Sequence, residues 1–153
     1  MKVKRAQIRT TDKRGVAEFA EALSREGVEV IASGGTAEAI RKAGVAVTEV
    51  SKITGFPEIM NGRVKTLHPK IHGGILADRD RQEHMKQAAE LGIEMIDLIV
   101  ANLYRFREKA SREGIGEKDV IEEIDIGGPT LIRSAAKNFH SVAVVVEPDD
   151  YTR

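Results

Sequence analysis

Short runs of valine and isoleucine alternate with segments of helical period, and this alternation constrains the fold more than any other feature. Val28-Glu29-Val30-Ile31-Ala32, Ile96 to Ala101 and Val142 to Val146 are apolar on both faces of an extended chain. A strand apolar on both faces has to be covered on both faces, as in a parallel sheet between helical layers. The other elements agree. Lys4 to Thr10 reads as a first strand, with Thr11-Asp12 as a helix cap. Val16, Phe19, Ala20 and Leu23 then recur at helical spacing until Gly27. After the turn Ser33-Gly34-Gly35-Thr36, a short helix is expected from Ala37 to Lys42, stopped at Gly44, and a third strand from Val45 to Val50. Asp80 to Leu91 reads as a helix. Pro129 is expected at the first helical position after Gly127-Gly128, opening a helix through Lys137. The expected fold is a single three-layer α/β domain over residues 1–153, with a mostly parallel sheet and helices on both faces.

A chain of 153 residues suffices for such a domain, burying about two thirds of its unfolded surface. Its 24 basic and 24 acidic side chains cancel, so net charge points to neither nucleic acid nor membrane, and an anion site has to be a local concentration of cations. Aromatic residues are too few for a base-stacking surface. Cysteine is absent, which removes disulfides, thiolate zinc sites and a cysteine nucleophile. MKVKRAQIRT lacks the apolar core of a signal peptide, and no apolar run approaches a membrane span of about 20 residues. A soluble, cytoplasmic protein is expected.

In open α/β sheets, ligands bind beyond the carboxyl ends of the strands. Thr11-Asp12-Lys13, Ser33 to Thr36 and Ala101-Asn102-Leu103-Tyr104 each follow a strand, so they should converge on one edge. Ser33-Gly34-Gly35-Thr36 combines close backbone approach with the free amides and positive end of a helix, which suits phosphate. It is equally an ordinary strand-to-helix turn, and it lacks the Gly-Lys-Ser/Thr of a Walker A loop. Lys13 supplies a counter-charge on the same edge.

The stretch Asn61 to Gly74, NGRVKTLHPKIHGG, packs Arg63, Lys65, His68, Lys70 and His72 around a proline. With no apolar stripe to join a core, it reads as an ordered loop, either a solvated basic surface or a site for an anion such as phosphate. Pro69 keeps His68 and His72 off a common regular helix, and no carboxylates adjoin them, so no metal site is expected. His84 and His140 read as surface or helix-end residues. Asp125 either caps the helix that follows or serves a site. Arg133 and Lys137 share a face of that helix; Lys137 is a favourable dipole contact or a catalyst. Tyr104 is a core-edge aromatic or a phenol aimed into the cleft. No nucleophile elbow or Ser-His-Asp pattern is present.

TGFPEIMNGRVKTLHPKIHGGILA, ANLYRF, IDIGGPTLIRSAAKN and SGGT, in their spacing here, resemble the IMP cyclohydrolase domain. That domain is one half of the bifunctional enzyme that ends purine biosynthesis, and it has a methylglyoxal-synthase-like fold. The resemblance implies ring closure of 5-formamido-4-imidazolecarboxamide ribonucleotide (FAICAR) to IMP and water, with no metal or cofactor, and a homodimer. By position it implies nucleotide binding by Thr11, Asp12 and Lys13, by Ser33, Gly34, Gly35 and Thr36, and by Arg63, Val64, Lys65 and Thr66. Ala101, Asn102, Asp125 and Ile126 are implied to contact the base, and Lys65, Tyr104, Asp125 and Lys137 to carry the chemistry. Three departures stand out. Arg105 replaces a proline in the NLYPF pattern, Arg9-Thr10 replaces a small or hydroxyl-bearing pair, and members of the family continue past Asp150-Tyr151-Thr152-Arg153, usually into a transformylase domain. Two other readings fit a phosphate loop on this fold: methylglyoxal synthase acting on dihydroxyacetone phosphate, and a non-catalytic regulatory domain that binds a phosphorylated ligand.

Overall fold

The computed structural model describes residues 2–103, 106 and 110–152. Five strands, β1 (Arg5–Arg9), β2 (Glu29–Ala32), β3 (Thr48–Glu49), β4 (Leu98–Ala101) and β5 (Ala143–Val145), form one sheet in the order β3-β2-β1-β4-β5. All four neighbouring pairs are parallel. Among the described residues, seven α-helices are labelled α1 (Val16–Arg25), α2 (Gly34–Lys42), α3 (Val50–Thr54), α4 (Pro69–Leu76), α5 (Gln82–Glu90), α6 (Glu117–Glu122) and α7 (Gly127–Lys137). The winding reverses at β1, with β2 and β3 on one side and β4 and β5 on the other. A crevice is therefore expected between the carboxyl ends of β1 and β4.

Strand alternation divides the core in two. Ala6, Ile8, Val30, Ala32, Leu98 and Val100 face Val16 and Ala20 of α1 and Ala37 and Ile40 of α2. Ile31, Ile99 and Ala101 face the other way, against Val50, Ile71 and Ile75, and Leu131 and Ala135 of α7. The apolar runs of β2 and β4 are thus buried on both faces, and in β1 the fully buried Gln7 shares the core with Ala6 and Ile8. The amino-terminal ends of β1 and β4 are tied by Asp97, which is buried. Its carboxylate accepts from the amides of Lys4 and Arg5 at 2.7 and 3.0 Å and from Arg79 at 2.7 Å.

Several expectations require correction. Thr11-Asp12 does not cap α1. The helix starts at Val16 after Gly15, which has φ +66° and lies against the Tyr151 ring, and Asp12 instead accepts from the Arg14 amide at 3.0 Å. The two glycines after Ser33 belong to the first turn of α2, which begins three residues before Ala37. The strand expected from Val45 to Val50 shrinks to Thr48–Glu49. Val45 is buried in the core without pairing, and Val50 opens α3. Pro129 is the third residue of α7, not the first. The last strand is an edge, with Val144 39% exposed, so only its inward positions are covered.

The largest correction concerns the basic stretch, whose second half is helix α4. His68 is extended, as a residue before proline should be, and its Nδ1 accepts the Lys70 amide at 3.1 Å. Pro69 then occupies the first helical position, where its missing N–H costs nothing. Ile71 and Ile75, four apart, point into the core with Gly74 between them. This short stripe suffices because Gly74 lets α4 approach the chain ahead of β4; a Cβ there would stand 2.5 Å from the Glu94 carbonyl oxygen. The Gly74 carbonyl accepts the Ile96 amide at 2.9 Å. His72 lies in the same helix, half-buried, with Nδ1 3.0 Å from Ser134 Oγ of α7 and Nε2 buried without a partner among the described residues. Burial lowers its pKa below the ordinary 6.5.

Two outcomes are expected. Gly74→Ala should cost about 1–3 kcal/mol in denaturant unfolding, since its methyl group meets a fixed carbonyl. Gly73→Ala should cost less, because its Cβ meets only the side chain of Ile93, at 3.1 Å. Equal effects at the two sites would remove the close-approach explanation. His72 should make stability fall as the medium turns acid. The unfolded chain takes up a proton near 6.5 while the folded chain resists it, so the contribution is complete above 6.5 and shrinks below it. The drop between pH 7.5 and 5.5 should be smaller in His72→Gln, which melting curves at the two pH values would reveal.

Candidate active site at the carboxyl edge of the sheet

Because all strands are parallel, the segments following β1, β2, β3 and β4 emerge on one edge. The first of these is stitched to its neighbours by side chains. Asn102, just past β4 and 9% exposed, accepts from the amides of Thr11 and Asp12 at 2.6 and 3.0 Å and donates to the Asp12 carbonyl at 2.9 Å. The Thr36 hydroxyl accepts from the Thr10 amide at 3.2 Å and donates to the Thr10 carbonyl at 3.1 Å. Among the residues expected to bind ligand, Asn102 and Thr36 thus use their side chains to fix the loop that carries Lys13.

Lys13 and Lys65 stand over the start of α2. Ser33 precedes the helix in an extended conformation, and Gly34 turns at φ +53°. A Cβ at Gly34 would lie 3.3 Å from Lys65 Nζ, and one at Gly35 would lie 3.9 Å from Lys13 Nζ. Two ammonium groups therefore approach a helix start whose first amides have no acceptor within the helix. Gly34, at its positive φ, leaves Lys65 this room, whereas a Cβ at Gly35 would make an ordinary contact with Lys13. Amides, dipole and ammonium groups together make a cradle for a doubly charged anion. Beside it opens a small surface cleft lined by Ser33, Glu49, Val50, Ser51, Phe56, Glu58 and Lys65. Glu58 holds Lys65 at 3.3 Å across its mouth.

A second centre adjoins the cradle through Thr66, which is buried beside Lys65 in the chain. A Cβ at Gly127 would lie 3.0 Å from Thr66 Oγ1 and 3.5 Å from Arg9 Nε. Asp125, with a side chain 6% exposed, accepts from Arg9 at 2.8 Å through Oδ2 and from the Gly128 amide at 3.0 Å through Oδ1. Gly128 allows this packing, since a Cβ there would lie 2.6 Å from Asp125 Oδ2 and 2.8 Å from both Arg9 and Leu103. A desolvated carboxylate, a guanidinium and a threonine hydroxyl are thus gathered at the first turn of α7.

The structure gathers the expected residues unequally. Lys13, Ser33, Gly34, Gly35 and Lys65 form the cradle, and Thr66 and Asp125 form the second centre. Ala101 is fully buried at the end of β4, and Ile126 is exposed beside Asp125. Val64 is half-buried and paired with Ile59 across an isolated bridge. Arg63 is exposed and forms an ion pair with Glu122 of α6, which raises its pKa. The Asp12 carboxylate binds Arg14 at 2.8 Å. Lys137 is exposed at the last position of α7, ten residues beyond Gly127, or about 15 Å along the axis. Tyr104 lies outside the described residues. Among the described residues, no three His, Asp or Glu gather as a metal site, and no helix is long and apolar enough to cross a membrane. Sequence reasoning missed Glu58 as a partner of Lys65. It noted Arg9 only as an extra cation, because the contact to Asp125 joins residues 116 apart.

Residues 15–130 match the model of the MGS-like domain family. The chain is 54% identical over 149 residues to the bifunctional purine biosynthesis protein PurH of Ruminiclostridium cellulolyticum, covering 97% of this chain and 29% of that protein. It is 55% identical over 148 residues to the protein of the same name from Bacillus cereus strain B4264, again 97% of this chain and 29% of the relative. The chain therefore spans under a third of these relatives' length. Among solved structures, the crystal structure of ForH superposes with a TM-score of 0.88 at 38% identity, over 97% of this chain and 74% of that one. The parallel β3-β2-β1-β4-β5 order agrees with that likeness, and the chain belongs to the MGS-like domain family.

Proposed function

We propose that this domain closes the ring of FAICAR to give IMP and water, the cyclohydrolase step of purine biosynthesis. The observation that carries the proposal is the cradle of Lys13 and Lys65 over the Gly34-Gly35 start of α2, next to the buried Asp125 centre. The similarity to PurH supplies the substrate class. The cradle suits the 5′-phosphate, and the second centre suits the polar imidazole carboxamide. Residues 1–153 act in this proposal as one cyclohydrolase-like domain of a cytoplasmic homodimer, without metal or cofactor.

In ring closure, the carboxamide nitrogen of FAICAR attacks the formamide carbonyl of the same molecule. The nitrogen is a poor nucleophile, so the main task is to hold the reactive rotamer, and anchoring the phosphate at one end does this. As the N–C bond forms, the amide proton leaves and negative charge develops on the former formyl oxygen. Asp125 is suited to receive or orient the amide proton. Lys65, adjoining the Thr66 junction, is suited to stabilise the oxygen together with Tyr104. That oxygen takes up two protons, balanced by those lost from the carboxamide nitrogen and from the formamide N–H, and departs as water as the formamide nitrogen forms the C=N bond of the new ring. The resemblance gives the proton transfer to Lys137; its position at the far end of α7 adds no support from geometry.

Ultraviolet absorbance tests the proposal, since FAICAR and IMP differ as chromophores. The chain should convert FAICAR without added metal. Methylglyoxal release from dihydroxyacetone phosphate would replace the proposal with the synthase activity, and nucleotide binding without conversion would leave a binding module. Lys13→Ala and Lys65→Ala should each weaken IMP binding roughly 10- to 100-fold, the worth of a charge-assisted hydrogen bond. Unchanged affinity in both would refute the cradle. If Lys137 moves the proton, Lys137→Ala should lose about 10²- to 10⁴-fold in kcat while keeping its affinity for IMP. Full turnover would remove Lys137 from the chemistry.

A further inference from the structure

The Arg9 guanidinium occupies a place where a cation is electrostatically disfavoured. It lies at the first turn of α7, the positive end of the helix, with NH1 2.8 Å from a Cβ built on Gly128 and Nε 3.5 Å from one built on Gly127. Its side chain is only 16% exposed. The Asp125 carboxylate compensates, and it is held at both oxygens: Oδ2 by Arg9 at 2.8 Å and Oδ1 by the Gly128 amide at 3.0 Å. A desolvated pair of this kind contributes little net stability, because desolvation opposes the attraction. It does fix the carboxylate in place.

We propose that Arg9 is a positioning residue of the active site, setting the rotamer of Asp125 so that the carboxylate faces the substrate carboxamide. Without the guanidinium, the hydrogen bond that remains to Asp125 among the described residues is the one at Oδ1, about which the carboxylate can rotate. Lysine is a poor substitute, because its ammonium is a compact point charge without the planar fork that matches a carboxylate. The effect belongs to the chemical step. The phosphate cradle of Lys13 and Lys65 is built from other segments, so ground-state binding should be retained. The inference rests on the proposed cyclohydrolase reaction and adds to it a residue at the end of β1 that acts through Asp125.

The test measures kcat, KM for FAICAR, IMP affinity and melting temperature for wild type, Arg9→Lys, Arg9→Gly, Asp125→Asn and the Arg9→Gly/Asp125→Asn double variant. The expected result is a loss in kcat of about 100-fold for Arg9→Gly, within the range for a misplaced acid–base group, with KM and IMP affinity changed less than about threefold. Millimolar guanidinium should restore much of the Arg9→Gly rate without moving its melting temperature. The double variant should be little slower than Asp125→Asn alone, because both changes act on one unit. If Arg9→Gly does not fold, Arg9→Lys carries the same test through a smaller loss in kcat at unchanged IMP affinity. Wild-type turnover in the folded Arg9 variants overturns the inference. So does a loss that guanidinium does not rescue and that adds fully to Asp125→Asn, which would mark a purely structural pair. A wild-type chain that binds IMP but leaves FAICAR unchanged, or does neither, overturns the proposed reaction and this role with it. A working wild type with indifferent Arg9 variants overturns the role alone.

Discussion

The carboxamide of Asn102 holds the functional edge together. β1 and β4 are parallel neighbours whose ladder ends at the pairing of Arg9 with Ala101, and beyond it the two chains must part. Asn102 continues the connection by side chain. Its oxygen accepts two amides of the loop after β1, and its nitrogen donates to a carbonyl of that loop. Three bonds from one nearly buried amide leave the Thr11-Asp12 backbone little freedom, and Lys13 follows directly. The Thr10–Thr36 stitch performs the same service on the other side, tying this loop to the first turn of α2. The cradle therefore relies on two uncharged side chains that need not touch the anion they help to place.

Charge is arranged in the same economical way. The chain is neutral overall, yet the edge concentrates Lys13, Lys65 and Arg9 within reach of two helix starts. Repulsion among these cations is offset by acids drawn from other segments, Glu58 for Lys65 and Asp125 for Arg9. The two pairs differ in solvation, and this difference separates their roles. Glu58 and Lys65 are partly exposed, so their attraction is screened and an incoming anion competes with it at modest cost. Arg9 and Asp125 are largely desolvated, so breaking that pair would strand a charge. The first pair can yield to a ligand, and the second is suited to remain as part of the site's frame.

The legible and illegible parts of the sequence divide along physical lines. The runs at Val28 and Ile96 declare strands because burial of both faces makes them apolar apart from Glu29 and Asp97 near their amino-terminal ends, and parallel pairing follows from their spacing. The convergence of Lys13 and Ser33 to Thr36 on one edge follows from topology, so it was readable. Helix α4 was not, because its buried stripe consists of Ile71 and Ile75 alone, set among cations and histidines. A proline that looks like a helix breaker serves there as the first helical residue. The ends of β3 were unreadable because an apolar residue such as Val45 fills a core equally well from a loop. The Arg9–Asp125 pair joins residues separated by most of the chain, and no local period records such a contact. Lys137, close to Asp125 in the motif, stands apart from it because eleven residues of helix α7 convert sequence proximity into axial distance.

Glycine explains why two helix starts can serve one site. At α2 the missing Cβ of Gly34 leaves room for the Lys65 ammonium, and at α7 the missing Cβ atoms leave room for a guanidinium, a carboxylate and a threonine hydroxyl. The two arrangements have opposite polarity. At α2 the helix amides and the lysines all present positive charge, and Glu58 pairs with Lys65, so the arrangement is suited to an added anion. At α7 the protein supplies its own anion, Asp125, which already occupies the first-turn amide of Gly128. One helix start is thus suited to an external phosphate, while the other is met by an internal carboxylate suited to a neutral polar group. A ligand spanning both would be anionic at one end and uncharged but rich in N–H at the other, as a nucleotide with a carboxamide-bearing base is.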